Sequence, residues 1–256
     1  MRVAPRPLAP VAAVLFLLSA CAVSSVPPPA PPPSSGDVRT ASGVVVLINH
    51  SASEDRLFEG AFCGGILVAP DLVLTAAHCV DQRAARSVDV LTGADDLCTG
   101  GYEQRVRVDT MHLGLGENSS LALLRLNDSV ALSVASISPA PPDMGGSLVA
   151  LGWGRGSVAG VPSCSLRSVS LTTIEAGACD ASGFDRSSIV CSLPSADLNT
   201  CDGDSGGPVV DVSDGRADVV AVTMSGIGCD PDSLGRNELV TETLLMGWIS
   251  EAATDR

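Results

Sequence analysis

From Gly43 onward the chain is a succession of short β-type runs, each closed by Gly, Pro, Asp or Ser. They fall at 44–48, 65–68, 72–75, 87–92, 104–108, 121–126, 148–152, 167–173, 189–192, 208–212, 217–223 and 238–241. So many short strands with recurring turn signals predict an all-β barrel or sandwich. Only 242–252 is patterned as a helix, and no internal repeat is visible. The cluster Ser138-Pro139-Ala140-Pro141-Pro142 breaks any strand and sets a boundary between two halves near 133–143. With 256 residues, 45% hydrophobic and 17% charged, the chain can bury one or two ordinary cores, which excludes a disordered protein.

The N-terminus reads differently. Arg2 and Arg6 precede an apolar run at 11–18 and the block Leu18-Ser19-Ala20-Cys21, a signal peptide over residues 1–20. The run is too short to span a bilayer. The block looks like a bacterial lipobox, with Cys21 as the lipidated first residue of the mature chain; the alternative is ordinary cleavage near Ala20 or Ala22. Residues 21–42, proline-rich at 27–35, form a tether, and 43–256 form the folded domain. The expected location is outside the cytoplasm: membrane-anchored and facing periplasm or exterior, or secreted without the lipid. Losing Arg2 and Arg6 takes the formal charge from −14 to −16, and the chain has no lysine. Such acidity disfavours nucleic acid and anionic headgroups, leaving the lipid as the sole membrane attachment. Of nine cysteines, eight remain after Cys21, which predicts a disulfide framework whose connectivity the sequence leaves open. No Cys/His spacing suits a metal, and no cofactor is implied.

The chemistry is concentrated at Cys201-Asp202-Gly203-Asp204-Ser205-Gly206-Gly207-Pro208. Glycines on either side of Ser205 allow the backbone N–H groups of Gly203 and Ser205 to converge on one oxyanion. A serine nucleophile needs a base, and the chain has three histidines, His50, His78 and His112. His78 lies in Leu74-Thr75-Ala76-Ala77-His78-Cys79. Thr-Ala-Ala-His-Cys followed by Gly-Asp-Ser-Gly-Gly-Pro resembles the trypsin-like (chymotrypsin-fold) serine peptidases over about residues 43–249. The resemblance implies two six-stranded antiparallel β-barrels packed face to face and a short C-terminal helix. It implies His78 as general base, Ser205 as nucleophile, and bridges Cys63–Cys79, Cys179–Cys191 and Cys201–Cys229, which leaves Cys98 with Cys164. Leu151-Gly152-Trp153-Gly154 is a further similar block, read as a turn around a buried tryptophan. Trp248-Ile249 is read as the end of the C-terminal helix, packed on a barrel.

Three departures stand out. The block that carries the triad aspartate in such peptidases reads Ser120-Leu121-Ala122-Leu123-Leu124, without the acid. Ser120 can accept a hydrogen bond there but brings no charge; Glu117 is either a surrogate acid or a solvated loop carboxylate. No Ile-Val-Gly-Gly stands where a freed N-terminus would pair with Asp204, so Asp204 needs another partner, such as an arginine. The specificity pocket is read from Asn199, Ser225, Gly226 and Ile227, with Glu238 on the opposite wall; an Asp at the Asn199 position would favour Arg or Lys side chains and is absent. His50 and His112 are read as isolated surface or loop residues. The reading is a serine endopeptidase acting on protein or peptide through an acyl-enzyme, weakened at Ser120. The alternative is a pseudoprotease retained as a binding or scaffold domain, and an esterase on this fold is a third.

Overall fold

The computed structural model describes residues 35–114, 119–155, 160–179, 186–195, 198–215, 217–226, 229–230 and 232–254. The expectations on Cys21, Glu117, Ile227 and the segment before residue 35 lie outside these.

The first barrel contains β1 (Val44–Asn49), β2 (Ala61–Ala69), β3 (Leu72–Ala76), β4 (Val88–Thr92), β5 (Gln104–Leu113) and β6 (Leu121–Leu126). The second contains β7 (Ser147–Gly152), β8 (Arg167–Ile174), β9 (Ile189–Pro194), β10 (Pro208–Asp211), β11 (Asp218–Gly226) and β12 (Gly235–Leu239). Each closes antiparallel, in the orders β1-β2-β3-β6-β5-β4 and β7-β8-β9-β12-β11-β10. The two orders are the same path traced twice, a repeat invisible in the sequence because only topology is shared. Closure removes the free strand edges of both sheets, so among the described residues neither barrel leaves an unpaired backbone row to solvent. The expected pair of six-stranded barrels is therefore present, and α3 (Glu242–Thr254) follows as the expected C-terminal helix, with Trp248 buried.

A one-turn helix α2 (Leu57–Gly60) precedes β2. Residues 35–42, assigned to the tether by composition, instead form α1 (Ser35–Ser42) against β10 and β11, with Val38 and Ser42 buried. Tertiary packing overrides the weak local signal there. Arg39 donates to the Leu166 carbonyl at 3.1 Å and pairs with Asp95.

The first barrel and the junction form one apolar cluster running from Val45, Leu47 and Leu74 through Trp153 to Met224 and Trp248. A second cluster, including Leu148, Leu171 and Val220, fills the second barrel. β2 meets β10 and β3 meets β11 across the junction, placing the end of β3 opposite the loop before β10. All four expected bridges form: Cys63–Cys79, Cys98–Cys164, Cys179–Cys191 and Cys201–Cys229. Cys98–Cys164 closes 66 residues and ties the barrels together beside the bond from Leu97 N–H to the Cys164 carbonyl, 2.8 Å. A loop of that length contributes about 4 kcal/mol in the chain-entropy account.

His50 is exposed but not isolated. Its Nδ1 lies 2.9 Å from the buried Asp89 carboxylate, which also accepts from Arg105 at 2.7 Å, while Arg107 approaches His50 Nε2 at 2.6 Å. Strand pairing of β1 with β4 and β4 with β5 brings these groups together, which sequence distance conceals. His112 sits on β5 opposite Leu123.

Candidate active site

The short 3₁₀ turn Ala77–Cys79 ends β3 and carries His78, with Cys79 buried and bridged to Cys63 on β2. Ala77 N–H donates to the Ser120 carbonyl at 2.7 Å, so Ser120 abuts the turn that carries His78. Ser205 enters from the second barrel. Its carbonyl accepts from Gly64 N–H at 2.8 Å, and Gly206 N–H donates to Thr223 O at 2.7 Å. One cavity of about 550 Å³ contains His78, Ser205, Gly203, Phe62, Asp81 and Asp202.

The loop before β10 has a left-handed residue at Gly203, φ +95°, where an added Cβ would come 2.9 Å from Gly154 Cα. Among the described residues neither Gly203 N–H nor Ser205 N–H has a backbone acceptor, although neighbours Asp204, Gly206 and Gly207 all do. Two unpaired donors flanking a serine in an open cavity are suited to hold an oxyanion.

The Ser205 hydroxyl donates to the Met224 carbonyl at 2.9 Å rather than to His78. His78 is exposed along one side, yet partial burial holds its imidazole below the ordinary value, with the Asp81 charge opposing. Among the described residues no carboxylate hydrogen-bonds His78. The Sγ atoms of Cys63 and Cys79 and a His78 ring nitrogen fall within 4.8 Å of one another, but both sulfurs are held in the disulfide and are not thiolate ligands.

Asp204 has what its burial demands. The residue is 2% exposed, and its carboxylate accepts from Gly154 N–H at 2.8 Å, Cys201 N–H at 2.9 Å and Arg167 Nη2 at 3.2 Å. Burial pushes its pKa up to about 6, against the lowering effect of Arg167 and the two backbone donors. Since that value lies above the unfolded one, the folded state binds this proton more tightly and loses stability as pH rises from about 4 to about 6. The block at 151–154 thus does more than bury Trp153: Gly154 supplies a donor, and a Cβ at either Gly152 or Gly154 would strike the Asp204 carboxyl.

The residues read as a specificity pocket each have defined partners. Asn199 is fully buried, and its Nδ2 donates to the Asp230 and Ser233 carbonyls at 2.9 and 2.8 Å, tying down the segment before β12. Ser225 and Gly226 lie on β11, paired with Arg236 and Gly235. Glu238 turns toward the first barrel: its carboxylate accepts from Ser119 Oγ at 2.7 Å and Ser120 N–H at 2.9 Å. Burial raises its pKa, against the pull of those donors. A carboxylate therefore reaches the backbone of residue 120 from β12, where sequence reasoning placed it on a pocket wall. Arg167 was not singled out at all; nothing local marks it, and only its pairing with Gly152 across β7 and β8 brings it to Asp204.

Comparison with known proteins places the family and the fold. The family model Trypsin matches residues 38–241. Trypsin alpha of Drosophila melanogaster is 30% identical over 181 residues, covering 65% of this chain and 68% of that protein. Chymotrypsin-like elastase family member 1 of Felis catus is 31% identical over 192 residues, covering 66% and 70%. Among solved structures, the Vibrio cholerae VesB protease superposes with a TM-score of 0.65 at 25% identity, covering 85% of this chain and 65% of that one.

Proposed function

Since this chain belongs to the trypsin family of serine peptidases, which act on protein or peptide substrates, we propose that it is itself a serine endopeptidase working through an acyl-enzyme, slowed by Ser120 in place of the acid. What carries the reading is the pair of unpaired N–H groups at Gly203 and Ser205 in the cavity that also contains His78. In this reaction Ser205 Oγ leaves Met224 O by rotation about its side-chain bond and attacks the substrate carbonyl carbon. His78 takes the hydroxyl proton and returns it to the leaving amine. The oxyanion rests on the two amides, and water then attacks the ester, again deprotonated by His78. With no carboxylate at Asn199, a preference for Arg or Lys side chains is not part of the proposal.

A second reading, a binding domain on the same fold, draws on the Ser205–Met224 hydrogen bond and the lack of a carboxylate on His78. A fluorophosphonate probe decides. Ser205 is expected to label at neutral pH, Ser205→Ala not at all, and His78→Ala more slowly by about 10³. Labelling should fall as pH drops from neutral into the acid range, where His78, held below its ordinary value by partial burial, takes up a proton and can no longer act as base. A chain inert across this range is a binding domain.

The anchoring reading is likewise ours. Leu18-Ser19-Ala20-Cys21 supports lipidation of Cys21, and the four bridges suit an oxidising compartment. No helix among the described residues is long and apolar enough to cross a membrane. Cys21→Ala is expected to move the exported protein from the membrane to the soluble fraction; a wild type already soluble after export would exclude the lipid.

A further inference from the structure

We propose that Arg167 is a positioning residue that holds the nucleophile loop formed from within the chain, so that the domain needs no free N-terminal amine to be competent. The inference rests on the peptidase reading for its consequence, though the lock itself is a matter of geometry.

Asp204 immediately precedes Ser205, and its position fixes where the N–H groups of Gly203 and Ser205 point. Every hydrogen bond that its carboxylate accepts among the described residues comes from the loop itself, from Gly154 or from Arg167. The guanidinium is held in turn. Nε donates to Gly154 O at 3.0 Å, Nη2 donates to Arg155 O at 3.0 Å, and the side chain is 18% exposed. Arg167 therefore binds the carboxylate and, on the far side, the same turn whose N–H also reaches that carboxylate. The remaining charges on these segments, Arg155 and Asp202, are paired with each other and leave Asp204 to Arg167.

The space around the carboxylate is filled. An added Cβ on Gly154 would come 2.6 Å from Asp204 Cγ, so even a methyl group has no room on that side. A partly buried Arg–Asp pair that is also hydrogen-bonded to backbone is a strong fastener, and losing one partner strands the other charge.

This chain allows an unusually clean test, because it has no lysine. An amine-acetylating reagent applied to the exported protein can reach only a terminal α-amine. Two readouts are taken before and after: the rate of Ser205 labelling by a fluorophosphonate, and hydrogen exchange across 201–207. Neither should change on acetylation by more than about twofold. Arg167→Met should slow labelling by at least about thirtyfold and lower the protection of the loop, while Arg167→Lys, which keeps the charge without the fork, should recover part of both. Loss of labelling or of loop protection on acetylation overturns the proposal, as does a folded Arg167→Met chain that behaves like the parent. Should Arg167→Met not fold, acetylation and Arg167→Lys still decide. A parent chain whose loop stays protected but which never reacts with the probe sinks the peptidase reading and leaves the lock standing.

Discussion

Ser120→Asp raises kcat on a small peptide ester by at least about tenfold, and more when Glu238→Gln is made in the same chain. In a Ser-His-Asp site the buried acid orients the imidazole and stabilises its cation; its amide replacement lowers kcat by about 10⁴, so a large deficit is open to repair. Ser120 abuts the His78 turn through the bond from Ala77 N–H to its carbonyl. Glu238 complicates the single change. Its carboxylate sits 2.9 Å from Ser120 N, so a new aspartate there faces a like charge, and one of the two is driven toward its neutral form. Glutamine at 238 keeps an acceptor for Ser119 Oγ and the residue 120 amide while removing the charge. The pH profile gives an independent sign. Burial now lowers the His78 pKa, and a carboxylate beside it favours the imidazolium, so the acid limb of kcat/KM moves to higher pH in the active variants. The measurement is kcat and its pH dependence for both single variants and the double, with Ser205→Ala as background. If kcat stays flat and the acid limb stays where it was, residue 120 does not reach His78 and the proposed defect is misassigned.

Gly206→Ala is expected to destabilise the domain by about 4 kcal/mol and to abolish labelling of Ser205. Gly206 has φ +82°, a conformation that L side chains rarely adopt. An added Cβ would also strike Thr75 Oγ1 and Gly64 O on the facing barrel. The Gly64 carbonyl is no flexible obstacle, since it accepts the Thr75 hydroxyl at 2.8 Å and belongs to β2. Relief therefore requires the two barrels to part or the nucleophile loop to move, and either displaces Ser205. Gly145→Ala is the control: φ is +75° there, but nothing lies within 4 Å, so backbone strain of about 1 kcal/mol is the whole effect. At about 2–4 °C per kcal/mol for a domain of this size, Gly206→Ala should melt roughly 10 °C below the parent and Gly145→Ala only a few degrees below. Equal melting of the two variants would show that the close approach to the first barrel has no energetic weight.

The sequence by itself determined the twelve strands and the C-terminal helix, because turn residues and aliphatic runs act over a few neighbours. It determined the His78 and Ser205 blocks for the same reason: a histidine in a tight turn after a strand, and a serine among glycines, are local constructions. It also left Asp204 in want of a partner, since a carboxylate next to the nucleophile in so apolar a setting cannot stay alone. Which partner it takes was decided only by the tertiary structure. Arg167 lies 37 residues away and reaches Asp204 because β7 and β8 pair with Gly152 opposite Arg167. Glu238 is 118 residues from Ser120, and its face is set by the register of β12 between β9 and β11. A shift of one residue in that register would send the same carboxylate to the other side of the sheet, and a linear sequence does not contain the register.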